Sequence, residues 1–464
     1  MEGEELLDFL WPYRGTFEIR RELPLDGVPR QRILDELTEM AEREDAPARE
    51  GKISGSLYHG GADHFEFLAQ VYRRFAHVNV LQRDMYPSAT KLEGEILAMA
   101  LDLFNADAAD GEGDAPCGVL TFGGSEGLFE AMLVYRDRGR ERGIAKPEVV
   151  MPVSAHVALD KAAHYLGVKV VHAPLDSEFR GDVAAMADLI TPNTVALVGS
   201  AGTYPHGVID PLPELSELAL EHDIGLHVDG CLGGFILPWA EREGRELPLW
   251  DFRLEGVTSI TADTHKYGYA PKGTGVLLYR SPDLRHRQYF VYTEWPGGVY
   301  ASPGIAGSRS GGLIAATWAA MVGLGQSGYR ELAAPIFRAT DELRATVDEI
   351  PELRRFGSSP FMVAFGSDEL DVWHLNDALQ ERGWRMNGCQ KPDGLHFCVT
   401  RPNTAPGVME QFAADLRDAV DYAKDPPDAP AKSGALYGGG AGGAAPGDLM
   451  VAFLDATMTS APGE

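Results

Sequence analysis

The stretch VTSITADTHKYG, residues 257–268, places a lysine shortly after a run of apolar and β-branched residues. The run Val257–Ala262 is typical of a buried strand, and Lys266 follows four residues after its end. A lysine in such a position needs a partner or a covalent role, because burying an uncompensated ammonium group is costly. A lysine with a lowered pKa can form a Schiff base with an aldehyde. An ordinary surface lysine after a strand remains the alternative at this point.

Strand-like and helix-like segments alternate on both sides of this stretch. Short apolar runs typical of strands occur at Val149–Pro152, Val168–Ala173, Val195–Ser200, Gly225–Cys231 and Gly275–Tyr279. Helical periodicity occurs at Ser125–Arg142, Leu159–Leu166, Val183–Ile190 and Leu212–His222. Strands separated by helices indicate crossover connections, and unbroken apolar strands indicate a sheet that is covered on both faces. The sequence therefore predicts an α/β fold with a mainly parallel central sheet flanked by helices.

Pattern and composition divide the chain into four predicted parts. They are an N-terminal arm (1–60), a large ligand-binding domain (61–327), a small α+β C-terminal domain (328–425), and a Gly/Ala/Pro-rich segment with a terminal helix (426–464). Helices are expected around Gln31–Glu44 in the arm, at Tyr329–Ile350 in the small domain and at Leu449–Met458 near the end. A length of 464 residues suits two or three such units.

The composition is that of a globular protein with a strong negative charge. Hydrophobic residues make up 44% of the chain and charged residues 24%, which excludes wholesale disorder. The formal net charge of −28 repels nucleic acid and anionic membranes over most of the surface. We therefore expect no nucleic-acid partner, and the positive charge that an anionic ligand needs must be local.

Cysteine spacing and the termini suggest a cellular compartment. The four cysteines, Cys117, Cys231, Cys389 and Cys398, form no close pair and no metal-ligand spacing, so we expect neither a disulfide framework nor a metal site. The start, MEGEELLDFLWPYRG, is acidic where a secretory signal is basic and then apolar. No apolar run of about 18 residues predicts a membrane span. We expect a soluble cytoplasmic protein.

Three further motifs follow predicted strands. In FGGSEG, residues 122–127, glycines open a helix, and free backbone N–H groups at such a point bind phosphate. His156 follows another strand and could stack on a planar ring. Asp229 ends the strand that begins at Gly225, where open α/β sheets bind ligands, and it could pair with a protonated pyridine nitrogen. Taken singly, each has an ordinary alternative: a helix N-cap, a structural histidine and a turn aspartate.

Together the four motifs fit one ligand. A phosphate cradle, a ring-stacking histidine, a carboxylate and a lysine occur in that chain order, each after a predicted strand. Each meets one need of pyridoxal 5'-phosphate, whose protonated pyridine ring acts as an electron sink. The sequence therefore predicts pyridoxal 5'-phosphate as the cofactor.

Longer segments carry a resemblance to a known family. They are SGSLYHG, FGGSEG, SAHVALDKAA, YPHGVIDP, LHVDGCLGGF, VTSITADTHKYGYAPKGTGVLLYR, GGVYASPGIAGSRSGG and LHFCVT, with SGALYG and FLDATMTS near the end. Through them the chain resembles the group II pyridoxal-phosphate-dependent decarboxylases of fold type I and, within these, the sphingosine-1-phosphate lyases of the soluble bacterial type.

The resemblance implies a role for each matching residue. Lys266 would form the covalent link to the cofactor, His156 would stack on its ring, and Asp229 would pair with the pyridine nitrogen. The cofactor phosphate would be bound by Gly124, Ser125 and His265. Ser308 would reach that phosphate from the second subunit of a homodimer with shared active sites. Lys266, His156 and Asp229 would be the catalytic residues. Tyr58, Tyr204 and Lys272 match positions that line the pocket for the substrate's own phosphate.

The chain departs from the family in two segments. Asn79 and Gln82 belong to NVLQRD, where the family usually has Asn-Pro-Leu-His-Pro-Asp. Gln82 cannot carry the charge of that histidine, although Arg83 beside it could replace it in part. The second departure is Ala201-Gly202-Thr203, where the family tends to have Thr-Pro-Gln. Both departures bear on the substrate pocket, where Asn79 and Gln82 are candidate binding residues.

The implied reaction is carbon–carbon bond cleavage. A phosphorylated long-chain base similar to sphingosine 1-phosphate would be split by retro-aldol chemistry into a fatty aldehyde and phosphoethanolamine, with Lys266 as candidate proton donor. One alternative is an amino-acid decarboxylase of the same family, although Tyr58, Tyr204 and Lys272 suit a phosphate better than an α-carboxylate. Another is a non-catalytic homologue kept as a binding partner, against which the complete cofactor motif argues.

Overall fold

The central element of the fold is a mixed sheet that is mainly parallel. The structure is a computed structural model and describes residues 7–8, 10–109, 115–434 and 447–459. In these ranges the sheet has seven strands: β1 (Cys117–Thr121), β2 (Glu148–Pro152), β3 (Lys169–Ala173), β4 (Thr194–Ser200), β5 (Gly225–Asp229), β6 (Val257–Ala262) and β7 (Gly275–Tyr279). Their order is β1-β7-β6-β5-β4-β2-β3, and only β7 runs against its neighbours. The predicted α/β fold is confirmed.

Helices cover both faces of this sheet and build the rest of the chain. In chain order they are α1 (Arg30–Arg49), α2 (Ala62–Phe75), α3 (Pro87–Leu103), α4 (Gly124–Glu141), α5 (Ala158–Leu166), α6 (Val183–Asp188), α7 (Leu212–Glu221), α8 (Leu237–Arg242), α9 (Pro282–His286), α10 (Gly311–Asp348), α11 (Val372–Glu381), α12 (Val408–Lys424) and α13 (Gly447–Thr457). Short 3-10 turns lie at Ala106–Ala109 and Arg401–Thr404. Of the predicted Gly/Ala/Pro-rich segment, residues 435–446 lie outside the described residues.

Each face of the large sheet has its own hydrophobic core, because successive side chains of a strand point to opposite faces. On β2, Val150 joins the larger core, which includes Leu197, Val228 and Ile260. Its neighbours Val149 and Met151 join the second core, beneath α4 and α5. Successive side chains of a strand point to opposite faces, so a strand covered on both faces must be apolar throughout. Each fully buried Val, Leu or Ile stabilises the fold by roughly 1.5–3 kcal/mol before its entropy is counted.

A second, smaller sheet follows in the C-terminal part of the chain. It is antiparallel and contains β10 (Arg354–Arg355), β11 (Met362–Gly366), β12 (Asn387–Cys389) and β13 (Gly394–Cys398), in the order β10-β11-β13-β12. A short hairpin, β8 (Phe290–Tyr292) and β9 (Tyr300–Ser302), precedes it. This smaller sheet with α11 and α12 confirms the α+β character predicted for the C-terminal region.

The long helix α10 begins earlier than the sequence predicts. It starts at Gly311 instead of Tyr329 and has one break, at Gly325, where φ is 57°. Its first half contributes Ala316, Ala319 and Ala320 to a small core with Leu68 of α2. That half has little polar surface because α2 and α3 pack against it, so it lacks the polar stripe from which a helix is usually recognised.

The end of the N-terminal arm is built into the small sheet. The Ser54 backbone N–H donates to the Arg385 carbonyl at 2.9 Å, and its hydroxyl donates to the His396 carbonyl at 3.0 Å. The Cys398 backbone N–H donates to the same hydroxyl at 2.9 Å. These bonds hold the following residues, including Tyr58, against the carboxyl ends of the large sheet.

Within the ranges given above, no helix is both long enough and apolar enough to cross a membrane. Over the same residues, no group of three or more His, Cys, Asp or Glu side chains is arranged to hold a metal ion.

Candidate active site

Lys266 lies in a turn beyond the carboxyl end of β6, with its side chain mostly buried. Its Nζ is 2.8 Å from Oδ2 of Asp263, three residues earlier in the same turn. Burial acts to lower the pKa of Lys266, but the negative charge of Asp263, together with Cys231 and Asp229, raises it overall. The ion pair keeps the lysine protonated and fixes the position of its nitrogen.

His265 is oriented by the next loop of the chain. Its Nδ1 lies 2.6 Å from the Thr274 carbonyl oxygen, which can only accept, so Nδ1 carries the proton and Nε2 is left for another partner. Nε2 is 3.7 Å from the Asp263 carboxylate. Burial lowers the pKa of His265. The ring is therefore held with Nε2 directed to the same side as Lys266.

Asp229 lies at the end of β5 and His156 shortly after β2, two strands that β4 separates in the large sheet. Asp229 is the last residue of β5, is 6% exposed, and accepts a hydrogen bond from the Cys231 backbone N–H at 3.0 Å. His156 follows β2, and its Nδ1 accepts from the Ala158 N–H at 3.1 Å. Burial lowers the pKa of His156, opposed by the charge of Asp229 and assisted by that of Lys266. Asp229, His156 and Lys266 are thus close enough to act on one another electrostatically.

The start of α4 forms a cradle without side chains. Gly123 has φ +79°, a conformation that favours glycine, and Gly124 is the first helical residue. A Cβ on Gly124 would lie 2.4 Å from Sγ of Cys231, so any side chain at this position would clash with Cys231. Backbone N–H groups at the start of this 18-residue helix can bind an anion, with the exposed Ser125 beside them.

Tyr58 and Lys272 form a second cationic position near Lys266. The Lys272 Nζ lies 4.8 Å from the centre of the Tyr58 ring. Lys272 is exposed as a whole, but desolvation of its ammonium end, with the charge of Lys266, lowers the pKa of Lys272 to about 8, although Asp263 opposes this. The Tyr58 ring contacts Tyr267 edge-on at 5.0 Å, and its hydroxyl is 3.6 Å from Sγ of Cys398. A lysine and a tyrosine hydroxyl in this position can bind a phosphate.

Tyr204 lies between the large and the small sheet. Its ring meets that of His156 at 6.3 Å and that of His396 at 4.9 Å, both edge-on. Burial lowers the pKa of His396 to about 4, so this ring is neutral at pH 7. Its Nδ1 therefore donates to the Pro205 carbonyl at 3.1 Å, which holds the loop that carries Tyr204. Through Tyr204, the loop joins His156 to the small sheet.

Asn79 and Ser308 form a separate, more exposed pair. Asn79 Nδ2 donates to the Ser308 Oγ at 3.0 Å, and Gln82 lies exposed on the same segment. Arg83, which we expected to replace the family histidine in part, is bound to Glu93 and to the Thr90 hydroxyl. In the described contacts, nothing links the Asn79–Ser308 pair directly to Lys266. The single chain therefore brings together the other predicted site residues but not Asn79, Gln82 and Ser308.

Several residues at the site were not singled out from the sequence. They are Asp263, Cys231, Cys398, Tyr267 and His396. Asp263 is part of the quoted lysine stretch, and its place just after a buried strand is a signal that could have identified it. Tyr267, Cys398 and His396 reach the site only through packing of the small sheet, which no local pattern indicates.

The geometry fits pyridoxal 5'-phosphate. The start of α4 carries backbone N–H groups and no Cβ at Gly123 or Gly124, as suits a helix start that binds a phosphate. Asp229 presents a buried carboxylate at the carboxyl end of β5 for a ring nitrogen, and Lys266 supplies an amine for the aldehyde. Among the described residues, Oδ1 of Asp263 and Oγ1 of Thr203 are buried polar atoms without a hydrogen-bond partner. The fold and the site together define a pyridoxal-phosphate-dependent enzyme of fold type I.

Comparison with known proteins gives the family. The family model described as the pyridoxal-dependent decarboxylase conserved domain matches residues 54–352. The chain is 42% identical to the sphingosine-1-phosphate lyase of Oryza sativa, over 95% of this chain and 82% of that protein. It is 34% identical to a probable sphingosine-1-phosphate lyase of Legionella pneumophila, over 94% and 76% respectively. The chain belongs to the pyridoxal-dependent decarboxylase family and, within it, to the sphingosine-1-phosphate lyases.

Solved structures agree with this assignment. A sphingosine-1-phosphate lyase of Burkholderia pseudomallei superposes with a TM-score of 0.88 at 50% identity, covering 89% of this chain and 95% of that one. A glutamate decarboxylase of Lactobacillus brevis superposes with a TM-score of 0.74 at 20% identity, which supports the fold alone. The predicted family, fold class and cofactor are confirmed.

Proposed function

We propose that the protein is a carbon–carbon lyase that cleaves a phosphorylated long-chain base, similar to sphingosine 1-phosphate, into a fatty aldehyde and phosphoethanolamine. The observation that carries the proposal is the second cation: Lys272 stands against Tyr58 beside the Lys266 turn. A substrate whose amine is bound next to Lys266 could then place its own phosphate against Lys272. The lyase relatives named above support the same activity.

The cofactor-binding roles are assigned to the residues that the geometry groups together. Lys266 would form the covalent link, Asp229 would bind the pyridine nitrogen and His156 would stack on the ring. Gly124, Ser125 and His265 would bind the phosphate, with the N-terminus of α4 supplying backbone donors. When bound, the cofactor supplies an electron sink for the pair of electrons left by bond cleavage.

The polypeptide itself orients the groups around the reacting atoms and transfers protons to and from them. Nδ1 of His156 accepts from a backbone N–H, and its lowered pKa keeps the ring neutral at pH 7. A neutral ring can stack on the cofactor without adding positive charge beside Lys266. A base must take the proton of the substrate hydroxyl, and Nζ of Lys266 would deliver a proton to the carbon that carries the amine.

Substrate recognition rests on Lys272, Tyr58 and Tyr204. The ammonium of Lys272 and the hydroxyl of Tyr58 would bind the substrate phosphate, with Tyr204 completing that side. Asn79 and Gln82 are retained as proposed binding residues on a neighbouring segment. With Arg83 bound to Glu93, Lys272 becomes the main cation for the substrate phosphate.

We also propose a homodimer in which Ser308 of one subunit reaches the cofactor phosphate of the other. Support comes from the exposure of Ser308 and its bond to Asn79, away from Lys266 on the same chain. Complementation tests this: Lys266→Ala chains mixed with Ser308→Trp chains, each impaired alone, should recover activity in the heterodimer. Failure to recover activity, with mixed dimers verified by mass spectrometry, would contradict shared sites.

A cytoplasmic location and the division at residues 60, 327 and 425 belong to the same set of proposals. None of the four cysteines, all of which lie in the described residues, forms a disulfide, as suits a reducing compartment. The break of α10 at Gly325 and the small sheet between Arg354 and Cys398 support the division of the chain. Limited proteolysis that cuts near these boundaries first would support the division.

Product analysis tests the function directly. The holoenzyme is incubated with a phosphorylated sphingoid base and, separately, with a mixture of amino acids, and the products are identified by mass spectrometry. We expect a long-chain aldehyde with phosphoethanolamine from the first and no carbon dioxide from the second. Carbon dioxide release without aldehyde would instead establish the amino-acid decarboxylase, which shares the cofactor chemistry. Lys266→Ala protein that fails to form either product excludes a contaminating activity.

A further inference from the structure

Asp263 makes the direct ionic contact to Lys266 in the described part of the chain. Its carboxylate is 3% exposed, with Oδ2 2.8 Å from Nζ of Lys266 and 3.7 Å from Nε2 of His265. Its other oxygen, Oδ1, is buried and accepts no hydrogen bond from any described residue. A buried carboxylate needs a cation. Lys266 is that cation, so the two side chains form a unit.

Three glycines create the space that Asp263 occupies. A Cβ on Gly124 would lie 3.0 Å from Oδ1, and one on Gly275 would lie 3.2 Å from the same atom. A Cβ on Gly123 would lie 4.0 Å from it and 2.9 Å from the His265 ring. The main chain thus closes around the carboxylate on the side away from the lysine. The orientation of Asp263 toward Nζ is a property of the fold and does not depend on a flexible side chain.

The remaining charged and titratable groups around this pair come from every neighbouring element. They are Asp229 at the end of β5, Cys231 just after it, His156 after β2, His265 and Lys272 between β6 and β7, Tyr58 at the end of the arm, and Cys398 of the small sheet. Of the carboxylates, Asp229 has an oxygen bonded to the Cys231 N–H. Asp263 is the one within hydrogen-bond distance of Nζ, again among the described residues.

From this geometry we propose that Asp263 is a positioning residue that holds Lys266 as an ammonium group whenever its nitrogen is not bonded to the cofactor. The inference rests on the proposed function for the identity of the reaction but not for the contact itself. In that state Nζ would keep both its place and its proton. The lysine is then ready to act as an acid at the end of bond cleavage.

The proton balance of this step is complete without any further reactant. Cleavage leaves an electron pair on the carbon that carries the amine, and the hydroxyl proton has gone to a base. Nζ of Lys266 gives one proton to that electron pair, forming the new C–H bond, and becomes a neutral amine with a lone pair. That lone pair can then displace the product: the link between Lys266 and the cofactor forms again as the bond from the cofactor to the product's nitrogen breaks, and the product leaves as a free amine. Asp263 remains a carboxylate throughout. A decarboxylation would need the same protonation.

The first experiment measures the ionisation of Lys266 without using activity. Cofactor-free protein is treated with trace acetic anhydride across a range of pH, and acetylation of Lys266 is measured by mass spectrometry for wild type, Asp263→Asn and Asp415→Asn. Asn has the size of Asp, and Asp415 is a buried carboxylate of the small sheet region that accepts from Trp384. We expect Asp263→Asn to increase labelling at pH 9 by about tenfold or more, one pKa unit being tenfold, and Asp415→Asn to leave it unchanged.

The second experiment uses the loaded enzyme. Asp263→Asn should lower kcat roughly ten- to a hundredfold and leave KM within about threefold, because proton delivery fails while substrate contacts remain. Unchanged acetylation in Asp263→Asn protein that unfolds at the wild-type temperature would overturn the proposal. Increased acetylation with unchanged kcat would overturn the proton-delivery role. If wild type cleaves no phosphorylated base, the proposed function fails, while the acetylation result still decides the role of Asp263.

Discussion

The hydroxyl of Tyr267 donates to the main-chain carbonyl of Val399 at 2.7 Å, across 132 residues of sequence. Tyr267 follows Lys266 directly, and Val399 follows the last strand of the small sheet. The same hydroxyl is 3.2 Å from Sγ of Cys398, and the ring supports Tyr58. This contact couples the turn that carries Lys266 to the small sheet and, through Tyr58, to the proposed substrate side of the site.

Removing that hydroxyl should weaken both the fold and substrate binding. In Tyr267→Phe the buried Val399 carbonyl loses its donor, which costs about 1–3 kcal/mol. We expect a lower unfolding temperature and a higher KM for a phosphorylated amine, because Tyr58 loses part of its support. Tyr135→Phe is a matched control, since its buried hydroxyl contacts Ser259 instead. An unchanged KM in the first variant would mean that the contact is purely structural.

Lys272 should govern phosphate recognition and its pH dependence. Lys272→Ala removes a charge-assisted contact worth roughly 1.5–3 kcal/mol, so kcat/KM for the phosphorylated amine should fall about ten- to a hundredfold. The pKa of Lys272 is lowered to about 8, so its ammonium is lost as the pH rises through that value and KM of wild type should then increase.

The control for this prediction is Lys272→Arg, which keeps its charge at every accessible pH. Its KM should not show the rise above pH 8, even if the absolute value is higher. The measurement is KM of wild type and of Lys272→Arg at a series of pH values between 6.5 and 9.5. Parallel pH profiles for wild type and the arginine variant would assign the pH dependence to another group.

Gly124 should be essential for cofactor binding. A Cβ there would come within 2.4 Å of Sγ of Cys231 and 3.0 Å of Oδ1 of Asp263, so Gly124→Ala must displace one of them. Overpacking of this kind costs about 1–3 kcal/mol, and cofactor affinity should fall roughly ten- to a hundredfold in an absorbance titration. Gly94→Ala, at a helical position with nothing within 4 Å, should bind the cofactor as wild type does. Equal affinities in the two variants would contradict the cradle.

Glu130 should make the fold less stable in alkaline solution. It is 1% exposed and accepts from the Ile305 N–H at 2.9 Å, which holds the segment before Ser308. Burial, assisted by the charge of Glu126, raises its pKa to about 8. A carboxyl whose pKa is raised on folding contributes stability that is fully present below its unfolded pKa and is lost as the pH rises through the folded value.

The test compares urea unfolding of wild type and Glu130→Gln between pH 7 and pH 9. Wild type should lose on the order of 1 kcal/mol from this group over that interval, a loss that the variant, having no titratable group there, should lack. Glu148→Gln is the control, since Lys169 holds the pKa of this buried glutamate below its usual range. The same pH slope in Glu130→Gln as in wild type would show that Glu130 is ionised at neutral pH.

Local sequence signals predicted the large sheet, the cofactor and a group of residues that the structure brings together around Lys266. Strands that are apolar throughout and end in Asp229, or shortly before Lys266, are visible without knowledge of any distant contact. The first half of α10 was missed, because Ala316 and Ala320 are buried by α2 and leave no polar stripe. A helix without amphipathic periodicity cannot be recognised from its period.

The substrate side of the site was less predictable, for a different physical reason. Arg83 was expected to add charge there, but Glu93 binds both Arg83 and Arg309, and Arg309 lies 216 residues further along the chain. The free charge at a position is thus decided by contacts between distant segments. His396 and Cys398 likewise reach the site through packing of the small sheet against Tyr204 and Tyr267.

The bonds of Ser54 to the small sheet also constrain how the chain can reach its native state. The partners of Ser54 at His396 and Cys398 leave the ribosome more than 340 residues later, a delay on the order of tens of seconds at usual rates of synthesis. During that time the segment that ends in Tyr58 lacks the small-sheet residues to which it binds in the folded protein. Closing so long a loop is entropically unfavourable and slow, so completion of the pocket is expected to be among the last events of folding. A nascent chain arrested before residue 396 would hold a formed large sheet and an unfinished pocket.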